Sequence, residues 1–308
     1  MKTATKKNNR GLTKSGPLLL IALPGIAYLI INNYIPMFGV FLAFKDYDFV
    51  KGIFGSDWSG FDNFKYLFKQ DALIIVRNTL LYNGAFILLG TIAAIFVAIL
   101  MCDLGERFRV KFFQSAMLLP NLLSWVVIGF IGFAFLNSDT GFINNSLIKF
   151  IGGKEVAWYT TPKYWPMILT IVFLWKNVGY SSIIYMASIS GIDKSIFEAA
   201  KIDGATKLEQ IRFVTIPMLK PTVIIMTLMA VGRIFYSDFG LFYQVPMNSG
   251  ALYDVTQTID TYVYHGLMEL HDVGMSAAAG LYQSVVGFIL VISANAVVRK
   301  VDNDNALF

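Results

Sequence analysis

Two basic residues, Lys176 and Arg233, lie within stretches of the chain that are otherwise strongly apolar. A charged side chain is costly in a hydrophobic environment, so it usually faces a protein interior or a water-filled cavity. Amide, hydroxyl and aromatic side chains accompany both residues. A sugar suits such surroundings, because its C–H face packs on an aromatic ring while its hydroxyl groups form hydrogen bonds.

These residues predict a path for a polar solute. The side chains expected to line it belong to Asn121, Lys176, Asn177, Tyr180, Ser181, Tyr185, Arg233, Tyr236 and Asp238. The alternative is a structural role, in which Lys176 donates to helix carbonyls and Arg233 extends to the membrane surface or pairs with Asp238. The sequence leaves both interpretations open.

The sequence contains none of the common motifs of hydrolytic or nucleotide-binding sites. Residues 152–155 (Gly-Gly-Lys-Glu) lack both the spacing and the hydroxyl of a phosphate-binding loop. One cysteine, Cys102, and two histidines, His265 and His271, are poor material for a disulfide framework or a metal site. We therefore expect no catalytic residue, no metal and no cofactor in this chain. ATP and Mg²⁺, where they take part, are expected on a separate polypeptide.

The elements that position these residues are membrane spans. Of the 308 residues, 56% are hydrophobic and 15% are charged, and the mean hydropathy is +0.60, as expected for an integral membrane protein. A bilayer core about 30 Å thick requires a helix of roughly 20 apolar residues. The stretches that satisfy this length are 17–43, 78–102, 112–136, 166–190, 218–240 and 276–298. The predicted fold is all-α, with six transmembrane helices.

The distribution of Lys and Arg predicts the orientation of the spans, because basic residues concentrate in inner loops. Residues 1–16 and 299–308 are expected to be cytoplasmic tails of a transmembrane domain formed by 17–298. The segment 191–217 is also placed inside, and the loop 241–275, which contains no Lys or Arg, is placed outside. The basic residues give an isoelectric point near 9.1. Since they act as topology signals, they do not indicate a nucleic-acid partner.

Within the predicted inner segment, residues 198–217 are polar and helix-forming although they separate two strongly apolar stretches. Asp193 is the expected N-cap of a helical turn over 194–200, and Gly204 interrupts the segment. An exposed helix in this position is typical of a docking surface for another protein. The alternative is a helix that only rests on the inner membrane surface.

The same segment carries a longer pattern: Glu198-Ala199-Ala200, three residues, Gly204, nine residues, and then Val-Thr-Ile-Pro ending at Pro217. It resembles the EAA loop of ABC importer permeases, a coupling helix that docks in a groove of the ATPase subunit. At Val214 and Ile216 the family pattern has Ile and Leu, respectively. The resemblance implies that the ATPase is contacted by Glu198, Ala199, Ala200, Asp203, Gly204, Ala205 and Pro217.

Further stretches extend the resemblance over nearly the whole chain. They are Leu-Pro-Gly at 23–25, Tyr-Ile-Pro-Met at 34–37, Ala-Phe-Lys-Asp-Tyr at 43–47, Gly-Phe-Asp-Asn-Phe at 60–64 and Ile-Asp-Thr-Tyr-Val-Tyr at 259–264. Together they are similar to the permeases of type I, maltose-type ABC importers for carbohydrates. Among these, the chain most resembles permeases for oligosaccharides, polysaccharides or lipo-oligosaccharides of Gram-positive bacteria. The implied role is a permease subunit with the type I importer fold, not an enzyme.

The resemblance also implies a set of partners. The chain is expected to form half of a pathway in a bacterial plasma membrane, beside a second, homologous but different permease. Two ATPase subunits bind ATP and Mg²⁺ beneath the pair. An extracellular, lipid-anchored solute-binding protein delivers a carbohydrate and is contacted by Tyr243, Gln244, Tyr253 and Asp254. Membrane lipid is the remaining partner, and no nucleic acid is implied.

Two alternatives stay open. In the first, the same ABC architecture carries a peptide, a lipid or a phosphate ester, although the small number of cationic groups in the spans favours an uncharged sugar. In the second, the chain is a secondary transporter or channel that needs no ATPase. Inverted repeats with paired broken helices are typical of such transporters, and the sequence shows none.

Overall fold

A computed structural model of the chain describes residues 10–68, 70–105 and 107–301, which are mostly helical. The helices are α1 (Arg10–Leu29), α2 (Gly52–Gly55), α3 (Gln70–Asp103), α4 (Arg107–Leu122), α5 (Trp125–Leu136), α6 (Trp165–Ser190), α7 (Lys194–Ile202), α8 (Lys207–Gln210), α9 (Ile216–Val231), α10 (Phe239–Gln244), α11 (Tyr253–Thr256), α12 (Ile259–Met268) and α13 (Val273–Val301). Residues 1–9 and 302–308 lie outside the described ranges. The cytoplasmic placement of the two tails therefore stays a prediction.

Shorter elements connect or extend these helices. Single π-helical turns occur at Ile30–Tyr34, Ile143–Ile148 and Ile211–Thr215, and 3₁₀ turns at Pro36–Phe44, Asp62–Phe68, Trp158–Thr160, Pro162–Tyr164 and Gly250–Leu252. Two short strands, β1 (Lys45–Asp46) and β2 (Asp57–Trp58), pair antiparallel, with Lys45 opposite Trp58. The buried ammonium of Lys45 holds this hairpin closed by donating to the carbonyl oxygens of Ile53 at 2.8 Å and Ser56 at 3.1 Å.

Six segments of the described chain are long and apolar enough to cross a membrane when each bent pair of helices counts as one span. The four continuous segments are Leu20–Phe44, Ala72–Asp103, Pro162–Ser190 and Val273–Lys300. The two bent pairs are Phe108–Leu122 with Trp125–Leu136, and Lys207–Met218 with Lys220–Val231. Each segment overlaps one of the predicted stretches, so the number and places of the spans agree with the prediction.

The third span departs from the single helix expected over 112–136. Its halves, α4 and α5, meet at 95°. Ser124 starts α5 as an N-cap, and its hydroxyl accepts a hydrogen bond from the backbone N–H of Val127 at 3.3 Å. Pro120, near the end of α4, has no N–H to donate and therefore weakens the helix at this point. A serine cap close behind a proline explains the bend.

The fifth span also differs from the stretch expected over 218–240, because α9 ends at Val231. Residues 232–238 form turns and an extended stretch, and Asp238 then caps α10. Arg233 therefore lies in a non-helical segment and not within a helix. Non-helical backbone at membrane depth requires partners for its carbonyl groups. Those partners shape the site described below.

Glycines allow the spans to approach closely. A Cβ atom on Gly179 of α6 would overlap the backbone carbonyl of Met117 in α4. A Cβ atom on Gly129 of α5 would lie 2.7 Å from the carbonyl oxygen of Gln244 in α10. Helices in lipid gain little from hydrophobic association, so they depend on close packing of this kind.

Residues 241–275, predicted as an outer loop, form an ordered layer that includes α11 and α12. The layer is bonded to the N-terminal half of α3. The hydroxyl of Tyr82 donates to the carbonyl oxygen of Val255 at 2.7 Å, and the amide of Asn78 donates to that of Asp254 at 3.0 Å. This region is therefore part of the folded body and not a free loop.

The first span leaves much of its apolar surface uncovered. Leu20, Ile21 and Phe38 are 74%, 78% and 63% exposed in the isolated chain. The span packs mainly through its 3₁₀ portion, against α13. An apolar surface of this extent is typical of a face covered by lipid or by another membrane protein.

Candidate functional site

A cavity of about 560 Å³ lies between α3, α6, α9 and the non-helical segment 232–238. Aromatic, amide and hydroxyl side chains line it. It brings together most of the predicted path residues: Asn177, Ser181, Tyr185, Arg233, Tyr236 and Asp238. Arg233, Tyr236 and Asp238 are exposed in the chain, whereas Tyr185 is only 2% exposed. The exposed residues among these six therefore all belong to the non-helical segment.

The structure places Lys176, Tyr180 and Asn121 outside the lining of this cavity. Lys176 is 7% exposed, and its ammonium donates to the carbonyl oxygens of Asn121 at 3.0 Å and Leu123 at 2.5 Å. It thus satisfies carbonyl groups at the C-terminal end of α4, where the helix dipole is negative. Tyr180 is 56% exposed and is not one of the residues that line the cavity. The expectation that these three residues line the path does not hold for this cavity, and Lys176 has the structural role of the alternative.

Side-chain amides hold the non-helical segment in place. The amide of Asn83 donates to the carbonyl oxygens of Ile234 at 2.7 Å and Tyr236 at 3.2 Å. The amide of Gln283 donates to the carbonyl oxygen of Phe235 at 2.8 Å. These bonds replace the intrahelical bonds that are lost where α9 ends.

The sequence-based prediction did not include α3 in the cavity lining, although the spacing of residues in this helix indicates one common face. Asn83, Phe86, Gly90 and Thr91 line the cavity and recur at the spacing of one helix face. Asn83 and Thr91 are polar positions in an otherwise apolar span. The ring of Phe86 stacks on Phe173 of α6 at a centroid distance of 3.9 Å, which fixes one wall.

The two opposite charges of the cavity do not pair with each other. Among the residues that the structure describes, no ion pair joins Arg233 and Asp238. The carboxylate of Asp238 accepts a hydrogen bond from the backbone N–H of Gly240 at 3.1 Å and also interacts with the indole of Trp125. The sequence-based alternative in which Arg233 pairs with Asp238 is therefore wrong.

The predicted coupling segment, 191–217, contains two helices joined by a tight turn. α7 begins at the predicted cap, Asp193, whose carboxylate accepts a hydrogen bond from the backbone N–H of Ser195 at 2.9 Å. Hydrogen bonding to Ser195 lowers the pKa of Asp193. Gly204 has a φ of +82°, a left-handed conformation that favours glycine and ends the helix. The positions expected for the cap and for the break are both confirmed.

A capping box starts the second helix of the coupling segment. The carboxylate of Glu209 accepts hydrogen bonds from the hydroxyl and the backbone N–H of Thr206, both at 2.7 Å. These bonds lower the pKa of Glu209. In the next position, Lys207 forms an ion pair with Asp103 at the end of α3, at 2.5 Å. The coupling segment is thus attached to the second span as well as to the fifth.

The predicted docking residues lie on an accessible surface. Those that are exposed are Glu198, Ala199, Asp203, Gly204 and Pro217, and those that are half-buried are Ala200 and Ala205. Ile202 and Leu208, which are 86% and 74% exposed, add apolar area. Within the described ranges, the carboxylate of Glu198 has no hydrogen-bond or ion-pair partner. The surface suits a protein partner, and contact with an ATPase stays a prediction.

Comparison with known proteins places this architecture in a family. Residues 87–303 match the model of the binding-protein-dependent transport system inner membrane component. The chain is 31% identical, over 284 residues, to the polygalacturonan/rhamnogalacturonan transport system permease protein YteP of Bacillus subtilis (strain 168), and the match covers 92% of this chain and 88% of YteP. It is also 31% identical to protein LplB of the same organism over 288 residues, which are 93% and 90% of the two chains. The chain belongs to this permease family.

Solved structures support the same assignment for the fold. The permease matches a chain of a bacterial alginate ABC transporter, crystallised in complex with alginate pentasaccharide-bound periplasmic protein, with a TM-score of 0.86 and 28% identity. The match covers 96% of this chain and 98% of that chain. The predicted importer-permease fold is confirmed, as is the role of a transport subunit rather than an enzyme. Family membership also excludes the alternative of a secondary transporter.

The residues of the permease predicted to meet a binding protein lie in the layer formed by residues 241–275. Tyr243, Gln244 and Tyr253 are half-buried, and Asp254 is exposed. The hydroxyl of Tyr253 is already bonded to Asn248, at 3.0 Å. The contact of these four residues with a binding protein stays a prediction.

Proposed function

We propose that this permease forms half of the translocation pathway of an ATP-driven importer for a carbohydrate, specifically an oligosaccharide. The observation that carries the proposal is the cavity between α3, α6 and α9, in which aromatic rings and hydroxyl and amide groups line one space. Rings pack on the C–H faces of a sugar, while polar groups bond its hydroxyls. Two relatives support the same class of cargo by their names. One is a polygalacturonan/rhamnogalacturonan transport system permease, and the other is an alginate ABC transporter.

Energy comes from two separate ATP-binding cassette subunits, which hold ATP and Mg²⁺ and dock on the coupling segment. The free carboxylate of Glu198 sets the register of docking through a charged hydrogen bond. Closing of the ATPases moves α7, and the motion reaches the spans through the Asp103–Lys207 ion pair and through the chain that leads from α8 into α9. The spans then rock as rigid bodies and open the pathway alternately to each side.

A second, homologous but different permease completes the pathway. A single chain supplies a wall and not a closed channel, since Arg233, Tyr236 and Asp238 are exposed in the isolated chain. The uncovered apolar surface of the first span supports contact with lipid and with this partner.

An extracellular, lipid-anchored solute-binding protein delivers the cargo to the outer layer, where Tyr243, Gln244, Tyr253 and Asp254 meet it. The complex resides in a bacterial plasma membrane, with both termini of the permease in the cytoplasm. The distribution of Lys and Arg supports this orientation. It also places the coupling segment in the compartment that contains ATP.

The direct test is a reconstitution of the permease with its partner permease, ATPases and binding protein in proteoliposomes. Labelled oligosaccharides, peptides and phosphate esters are supplied in parallel, and uptake and ATP hydrolysis are measured. We expect uptake of an oligosaccharide, driven by ATP and dependent on the binding protein. Uptake confined to a peptide or a phosphate ester would contradict the carbohydrate assignment and support the same architecture with another cargo.

A further inference from the structure

The cavity contains one charge that nothing in the described chain balances. Arg233 is the cation and Asp238 the anion among its lining residues. Within the described ranges, the guanidinium of Arg233 has no hydrogen bond and no ion pair, and its side chain is exposed. A cation without a protein partner is stable only where water or a ligand solvates it.

Asp238 does not serve as the counter-ion of Arg233, because its carboxylate is engaged elsewhere. It caps α10 through the N–H of Gly240 and interacts with the indole of Trp125 and the ammonium of Lys176. The carboxylate of Asp238 thus already has partners other than Arg233. Both charges line the cavity, but among the described residues only the carboxylate of Asp238 has protein partners, whereas the guanidinium of Arg233 has none.

Side chains from other elements hold the backbone that directly follows Arg233. Asn83 and Gln283 bond the carbonyl oxygens of residues 234–236. The backbone N–H and the hydroxyl of Ser237 both donate to Asp260 at 2.6 Å. A cation on a fixed backbone binds a ligand with little further ordering cost.

We propose that Arg233 binds a carboxylate of the cargo, so that the cargo is an anionic oligosaccharide containing uronic acid residues. This inference rests on the proposed function and narrows it. A guanidinium matches a carboxylate through two parallel hydrogen bonds. Tyr236 and Ser181, which line the same cavity, supply a ring and a hydroxyl for the sugar. The inference replaces the sequence-based preference for an uncharged sugar, because the carboxylate of Asp238 already has protein partners and the guanidinium of Arg233 has none among the described residues.

The test compares two ligands of equal size, trigalacturonate and its fully methyl-esterified form, which lacks the charge. Binding to the purified importer complex is measured by saturation-transfer NMR titration. We expect the wild type to bind the acid about tenfold more tightly than the ester. Arg233→Gln should abolish this preference, and Arg233→Lys should keep part of it. Arg299→Gln, at the exposed end of α13, is the matched control and should behave as the wild type.

The outcomes separate this inference from the proposed function. Equal affinity for the two ligands, or a preference that survives Arg233→Gln, would overturn the anionic cargo and leave carbohydrate transport intact. Failure of both ligands and of neutral maltotriose to bind would contradict carbohydrate transport as well. If Arg233→Gln elutes as an aggregate in gel filtration, two other measurements test the inference. They are the relative affinity of the wild type for the acid and the ester, and the same comparison for Arg233→Lys.

Discussion

The ammonium of Lys176 lies 4.9 Å from the ring centroid of Trp125, across the bend of the third span. Lys176 belongs to α6, Trp125 begins α5, and the carbonyl groups that Lys176 bonds belong to the end of α4 and the residue that follows it. A Cβ atom on Gly240 would overlap the indole of Trp125, so the start of α10 packs on the same point. One buried cation thus replaces the helix bonds lost at the bend and joins the third span to the fourth.

Lys176→Met should therefore destabilise the permease even without substrate. The change leaves buried carbonyl groups unsatisfied, at an expected cost of about 1–3 kcal/mol, and lowers the melting temperature of the purified complex. Lys163→Met, at an exposed position near Tyr164, is the control and should have no effect. An unchanged melting temperature for Lys176→Met would show that the cation is not structural.

Gly179→Ala should separate α4 from α6. The added methyl group would overlap the backbone carbonyl of Met117, which cannot move without the helix that carries it. We expect a loss of about 1–3 kcal/mol in unfolding free energy, measured by thermal unfolding in detergent. Gly84→Ala provides a matched control in α3, because a Cβ atom there meets nothing within 4 Å. Equal stability of the two variants would argue against the close packing.

Gly204→Asp should uncouple ATP hydrolysis from uptake while the chain still inserts into the membrane. At a φ of +82° a residue with a side chain is strained by about 1–2 kcal/mol, so the turn after α7 is displaced. Gly152→Asp, with a φ of +67° and no atom within 4 Å of the added Cβ, carries similar strain outside the coupling segment. It should retain normal coupling. Normal ATP-driven uptake by Gly204→Asp would refute the coupling role.

Thr206→Ala should loosen the start of α8, because it removes the hydroxyl that donates to the carboxylate of Glu209 and accepts from the backbone N–H of Glu209. We expect amide hydrogen exchange over residues 207–210 to accelerate by roughly fivefold. Thr170→Ala, whose hydroxyl bonds within α6, should leave this segment unchanged. Exchange over 207–210 that is as slow in Thr206→Ala as in the wild type would contradict the capping role.

The same capping box predicts that the local order of residues 207–210 depends on pH. The pKa of Glu209 is lowered in the folded state, so its contribution to local order is present above the ordinary carboxyl pKa and lost as the pH falls through the lowered value. Protection factors of residues 207–210 should therefore decrease on acidification in the wild type. The decrease should be smaller in Glu209→Gln, which does not titrate. Identical pH profiles for the two proteins would be inconsistent with this effect.

The sequence by itself determined the features that depend on neighbouring residues. Apolar length predicted the six spans, since a helix must cross the bilayer core with its backbone bonds satisfied internally. Local propensity identified Asp193 as a cap and Gly204 as a break, because each acts on the adjacent turn. The spacing of Glu198, Ala199 and Ala200 relative to Gly204 indicated the family.

Only the tertiary structure decided how the spans are interrupted and which polar residues face the cavity. The amide of Asn83 bonds the carbonyl oxygen of Ile234, 151 positions further along the chain, and no local pattern joins such residues. The role of Lys176 likewise depends on where α4 ends, which becomes visible only when α4 and α6 are packed together. The surroundings of the two cavity charges also depend on the tertiary structure, because the carboxylate of Asp238 interacts with Trp125 of α5 while the guanidinium of Arg233 has no partner among the described residues.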